Sequence, residues 1–138
     1  MLELVLDASV CLSWLFPDEE NEWSNAVMRR LRNETQRLVV PAHWVVEVSN
    51  GLVVGSRRKR IKSEQIPLFW DALATLPVEM QPALTLTEAK GVVALSEKHS
   101  LTVYDATYLD LAQRRNIPLG TLDRELTRAA TAAGVVLL

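Results

Sequence analysis

The sequence predicts an α/β domain built around a mainly parallel sheet, and three observations lead there. Short apolar runs of strand length alternate with amphipathic stretches of helix length along the whole chain. The 138 residues, 49% of them hydrophobic, suffice for one domain with a core that needs no covalent staple; a chain near this size buries roughly 68–70% of its unfolded surface. Four isolated acids, Asp7, Glu47, Asp105 and Asp123, stand where a strand gives way to a helix or within a helix's first turns. In a parallel sheet that edge, beyond the carboxyl ends of the strands, is where ligands bind.

Each element has a local reason. Leu2 to Leu6 is an apolar run fit for a buried strand. Ala8 to Phe16 reads as a short helix stopped by Pro17, because proline lacks the N–H a helix interior needs. Asp18 to Glu20 place acids where the next helix begins, and that helix runs to about Asn33 with Trp23, Ala26, Val27 and Leu31 as its stripe. Arg37 to Val40 is a second strand. Pro41 favours a helix start, and Ala42 to about Ser56 follows, carrying Trp44, Val45, Val48, Leu52 and Val53. Ser63 and Glu64 mark another N-terminus, with Pro67 early in the helix and Phe69, Trp70, Leu73 and Leu76 on its apolar face. Pro77 ends it, and Val78 to Met80 is a weak strand. Thr85 or Thr87 caps a helix that reaches about His99, and Asp105 to Arg115 is helical with Leu109 and Ala112 inward. Pro118 to Leu122 is a strand, Arg124 to Ala133 a helix with Gly134 as its C-cap, and Val135 to Leu138 a closing strand. Neither repeats nor linkers interrupt the chain, so residues 1–138 form a single domain.

Composition narrows the function. A net charge of −2 provides no global basic field, although a local basic patch suffices for nucleic acid. The single cysteine, Cys11, forbids an internal disulfide, and its apolar setting indicates a buried, inert thiol that suits a reducing cytoplasm. The N-terminus lacks a basic region, Asp7 interrupts its apolar run, and no stretch approaches the roughly 20 apolar residues of a membrane span. Only 5 glycines are present, none clustered as a phosphate-binding turn requires.

The four acids lack a matching set of cations. Carboxylates crowded in apolar surroundings either share a proton or bind a hard divalent metal. Each has an ordinary alternative: Asp7, Asp105 and Asp123 at helix caps, Glu47 on a solvated stripe with His43 and Asn50. Together they point to one metal-dependent site. Ser9, Asn50 and Thr121 are its candidate supports, through hydroxyl or amide hydrogen bonds. Asp110, about 140° around the helix from Asp105, belongs to the surface or to a supporting role.

The segments LVLDASVCLSWLFPDEE, PAHWVVEVSNGL and LTVYDATYLDLAQRRNIPLGTLDREL resemble the PIN-domain nucleases, and most closely the VapC-type toxins of toxin–antitoxin pairs. The resemblance covers nearly the whole chain. It implies a three-layer α/β/α sandwich and Mg²⁺- or Mn²⁺-dependent cleavage of RNA, with water attacking a phosphodiester. The catalytic residues it implies are Asp7, Glu47, Asp105 and Asp123, with Asp7, Asp105 and Asp123 as metal ligands. It also implies a homodimer and a cognate VapB-type antitoxin. Leu122 departs from the pattern, since relatives often carry a polar residue there.

The run Arg57, Arg58, Lys59, Arg60 and Lys62 either grips the RNA backbone or decorates a solvated helix end. Trp14, Trp23, Trp44 and Trp70 read as core, or as part of a dimer or antitoxin face. His43 and His99 lack zinc-site spacing. The alternative to a nuclease is a non-catalytic binding module on the same fold. A haloacid-dehalogenase-like phosphatase fits poorly, since it needs a second Asp where Ser9 stands.

Overall fold

The computed structural model describes residues 1–138. Its sheet has four strands, β1 (Leu2–Leu6), β2 (Gln36–Val40), β3 (Val78–Met80) and β4 (Leu119–Gly120), in the order β3-β2-β1-β4, and every pair is parallel. Leu4, Val5 and Leu6 of β1 and Leu38, Val39 and Val40 of β2 are all buried. Successive strand residues point to opposite faces, so both faces of the sheet lie under helices, as a parallel sheet demands. This is the α/β/α layering expected above.

The helices are α1 (Ala8–Ser13), α2 (Glu22–Arg32), α3 (Trp44–Arg57), α4 (Gln65–Ala74), α5 (Leu86–His99), α6 (Val103–Arg115) and α7 (Arg124–Ala132), with a 3-10 turn at Pro17–Glu19. None is long and apolar enough to cross a membrane. Their ends follow from local chemistry. Asn21 caps α2 by accepting from Ser24 N at 2.8 Å. Thr85 caps α5 through a reciprocal box with Glu88, which settles the choice between Thr85 and Thr87. Thr102 caps α6, so that helix starts before Asp105 and leaves the Asp105 side chain free of capping duty.

Two strands differ from expectation. β4 is two residues long rather than five. Beyond Gly120 the amides of Leu122 and Asp123 donate to the hydroxyls of Ser9 and Thr121, at 3.1 and 3.0 Å, instead of joining a ladder. Val135 to Leu138 is not a strand but a single bridge between Leu137 and Leu119. Gly134, at φ +75, reverses the chain there. Its amide donates to Thr131 O and that of Val135 to Ala130 O, which satisfies the last carbonyls of α7.

Helix α1 lies against α3 at unusually close range. A Cβ on Gly51 would stand 2.4 Å from Leu12 Cδ1, and one on Gly55 would stand 2.6 Å from the Phe16 ring. Leu12 to Phe16 and Gly51 to Gly55 are both steps of four, one helical turn. The two segments therefore run in parallel register. One turn before Gly51, on the same stripe of α3, stands Glu47.

Candidate acidic active site

Asp7 follows β1 and occupies the N-cap position of α1, yet accepts no capping hydrogen bond. Its oxygens are taken by side chains instead: Ser9 Oγ donates to Oδ1 at 2.5 Å, and Thr121 Oγ1 donates to Oδ2 at 2.7 Å. The Val10 amide at N3 adds only the smallest of the influences on its charge, so capping alone does not account for a carboxylate that is 5% exposed. Burial lifts its pKa from 3.8 to about 6; the Ser9 and Thr121 hydroxyls pull the other way, and the charge of Asp105 adds to the rise. Each hydroxyl also accepts a backbone amide, Ser9 from Leu122 and Thr121 from Asp123. Ser9, Asp7 and Thr121 thus tie the carboxyl end of β1 to that of β4.

Glu47 sits in the first turn of α3 and is half-buried. Tyr108, fully buried in α6, donates its hydroxyl to Glu47 Oε1 at 2.9 Å. Burial, then the Glu47 charge, pushes the phenol well above its ordinary range, so it remains a donor. His43 Nε2 stands 2.9 Å from the same oxygen, at ion-pair distance but without hydrogen-bond alignment. The His43 ring meets Tyr108 edge-on, centroids 4.9 Å apart.

Asp105 lies in the first turn of α6. Burial raises its pKa, and the charges of Asp123 and Glu47 raise it further. Asp123 caps α7, accepting from Leu126 N at 2.9 Å through Oδ1. Capping occupies one oxygen only. The four acids thus form one electrostatic neighbourhood: Asp105 acts on Asp7 and is itself acted on by Asp123 and Glu47.

No three His, Cys, Asp or Glu side chains are set at ligating positions around a single point. The donor set still suits a hard divalent cation. Its oxygens are carboxylate oxygens whose charges act on one another, and one is buried enough to hold its proton to about pH 6.

The remaining candidate residues fall partly as expected and partly elsewhere. Asn50 is exposed and makes no hydrogen bond to Glu47; Tyr108 fills that role. Arg60 is held by Asp18 and Glu19, at 2.9 and 2.6 Å, with its guanidinium 4.0 Å over the Phe16 ring. Arg57, Arg58 and Lys59 are exposed and lack ion-pair partners, but Arg57 is ten residues beyond Glu47, about 15 Å along the helix. Asp110 pairs with Arg114 on the surface at 2.8 Å. Cys11 is buried, its thiol pushed up by burial. Of the tryptophans, Trp44 is buried in the core, while Trp14, Trp23 and Trp70 are partly buried against it.

Comparison with known proteins agrees with this architecture. The PIN domain family model matches residues 4–132. The chain is 30% identical over 129 residues to the protein named ribonuclease VapC3 of Pyrobaculum aerophilum, covering 91% of this chain and 92% of that one. It is also 30% identical over 126 residues to ribonuclease VapC12 of Mycobacterium tuberculosis, covering 91% of each. VapBC2 from Rickettsia felis, solved bound to a DNA fragment from their promoter, superposes with a TM-score of 0.66 at 17% identity, covering 99% of this chain and 98% of that one. The chain belongs to the PIN domain family.

Proposed function

We propose that this PIN-domain chain is a divalent-metal-dependent endoribonuclease of the VapC type. The observation that carries the reading is the buried carboxylate of Asp7, held by Ser9 and Thr121, within a neighbourhood of three further acids. The relatives named ribonucleases support the reaction class. Asp7, Asp105 and Asp123 would hold Mg²⁺ or Mn²⁺, which when bound supplies an activated water, orients the phosphate and stabilises charge on the leaving oxygen.

The chain's own groups divide the remaining work. Ser9 and Thr121 fix the Asp7 oxygens, so that carboxylate does not rotate away when substrate enters. Tyr108 fixes Glu47, whose second oxygen is left to accept a proton at the site. Helix α3 rests by Gly51 on Leu12 of α1 and by Gly55 on Phe16 of the turn after it, a register that supports Glu47 facing the same site as Asp7. The partners are RNA as substrate, a VapB-type antitoxin that neutralises the activity, and a second copy in a homodimer.

One observation favours a non-catalytic PIN-fold binding module: no three ligands stand ready around one point. The complete acid set weighs against it. Incubating purified protein with total RNA separates the two readings. Discrete cleavage is expected with Mg²⁺, and none with EDTA or in the Asp7→Asn variant. Cleavage that persists under both treatments removes the proposal.

A further inference from the structure

A cleft of about 280 Å³ opens beside the acids, between the start of α3, the 81–84 segment ahead of α5, and one face of α6. None of the four acids lines it, but two of its residues adjoin them. His43 lines it while standing 2.9 Å from Glu47, and Tyr104, also in its lining, is the residue before Asp105. Tyr104 is 62% exposed, and its ring centroid lies 5.7 Å from that of His43. Pro41, Pro82 and Leu84 provide apolar walls. Arg114 lines the far end, ten residues from Tyr104 and about 15 Å along α6. Its Nε is committed to Asp110, its two terminal nitrogens make no hydrogen bond, and its charge reaches Glu88, which also lines the cleft.

Size and chemistry select the occupant. The cleft lies just below the roughly 300–1,000 Å³ of pockets that hold drug-sized molecules, which is the scale of one nucleoside. An accessible aromatic face with apolar walls suits a planar base, and a guanidinium beyond it suits a phosphate. We propose that the cleft is a nucleobase subsite for single-stranded RNA: the base adjoining the phosphate at the acids stacks on Tyr104, and Arg114 receives a further phosphate of that strand. This rests on the ribonuclease reading and adds to it where the substrate's flanking base goes.

The test uses an RNA fragment that the unmodified protein cleaves, labelled with fluorescein. Its binding to the Asp7→Asn protein in Mg²⁺ is measured by anisotropy, with single abasic nucleotides placed in turn around the cleavage position. One abasic position is expected to weaken binding about tenfold, the scale of one base stacked on one ring. Tyr104→Ala should cost about the same and abolish the effect of that abasic position, while Tyr104→Trp restores both. Arg114→Gln should lower the salt dependence by about one phosphate contact. In the otherwise unmodified enzyme, Tyr104→Ala should raise KM and leave kcat within about twofold. RNA cleavage with no abasic position coupled to Tyr104 overturns the subsite and leaves the ribonuclease reading standing. Failure to cleave any RNA removes both. A change of oligomeric state in Tyr104→Ala, without abasic coupling, assigns the face to a second copy of the chain and likewise overturns the subsite.

Discussion

Neutralising Asp7 should stabilise the metal-free protein. Asp7 is buried, and its carboxyl titrates at about 6 in the fold against 3.8 when unfolded. Below pH 3.8 it is protonated in both states and costs nothing. Between about pH 4 and 6 the unfolded chain loses its proton first, so stability falls as pH rises, and above 6 the loss is complete. At about 1.4 kcal/mol per pH unit, the interval from 3.8 to about 6 amounts to about 3 kcal/mol. Asn carries no such penalty, but one of the Ser9 and Thr121 hydroxyls must turn from donor to acceptor, a cost of about 1 kcal/mol. Asp7→Asn should therefore gain about 2 kcal/mol at pH 7.5 in EDTA, or roughly 7 °C in Tm for a domain of this size. The gain should vanish at pH 4. Thermal melts by circular dichroism across that pH range measure the difference. A variant that melts at or below the unmodified protein at pH 7.5 would refute the claim that burial strains this carboxylate.

Three further outcomes follow from the packing and the charges. Tyr108→Phe removes the donor to Glu47 and should cost about 1 kcal/mol in chemical denaturation while lowering RNA cleavage more than RNA binding. Gly55→Val drives a side chain into the Phe16 ring beneath Arg60 and should destabilise by about 1–3 kcal/mol; unchanged stability would show that α1 and α3 can separate freely. Replacing Arg57, Arg58 and Lys59 together by Gln should reduce the salt dependence of RNA binding and leave cleavage of a short oligonucleotide unchanged, because these residues stand about 15 Å along α3 from Glu47.

The sheet and the positions of the acids were readable because both are local. Apolar runs of four or five residues gave β1 and β2, and the acid after each strand lies at the expected edge. Ser9 and Thr121 were readable as hydroxyls two residues from Asp7 and Asp123, although Thr121 serves Asp7, not the nearby Asp123 side chain. Tyr108 was missed, because its partner Glu47 is 61 residues away. The available signal was its place three residues after Asp105 on α6, which puts both on one face. Arg60 was grouped with its basic neighbours, whereas its partners Asp18 and Glu19 come from the turn after α1, over 40 residues earlier. β4 was overestimated because side-chain hydroxyls, which a strand pattern does not weigh, draw the amides of Leu122 and Asp123 out of the ladder.

Calorimetric titration of the folded, metal-free protein with Mn²⁺ bears most directly on whether Asp7, Asp105 and Asp123 share a cation. Saturable binding is expected, weakened at least tenfold by each of Asp7→Asn, Asp105→Asn and Asp123→Asn alone. Absence of binding, or affinity indifferent to all three substitutions, would contradict it.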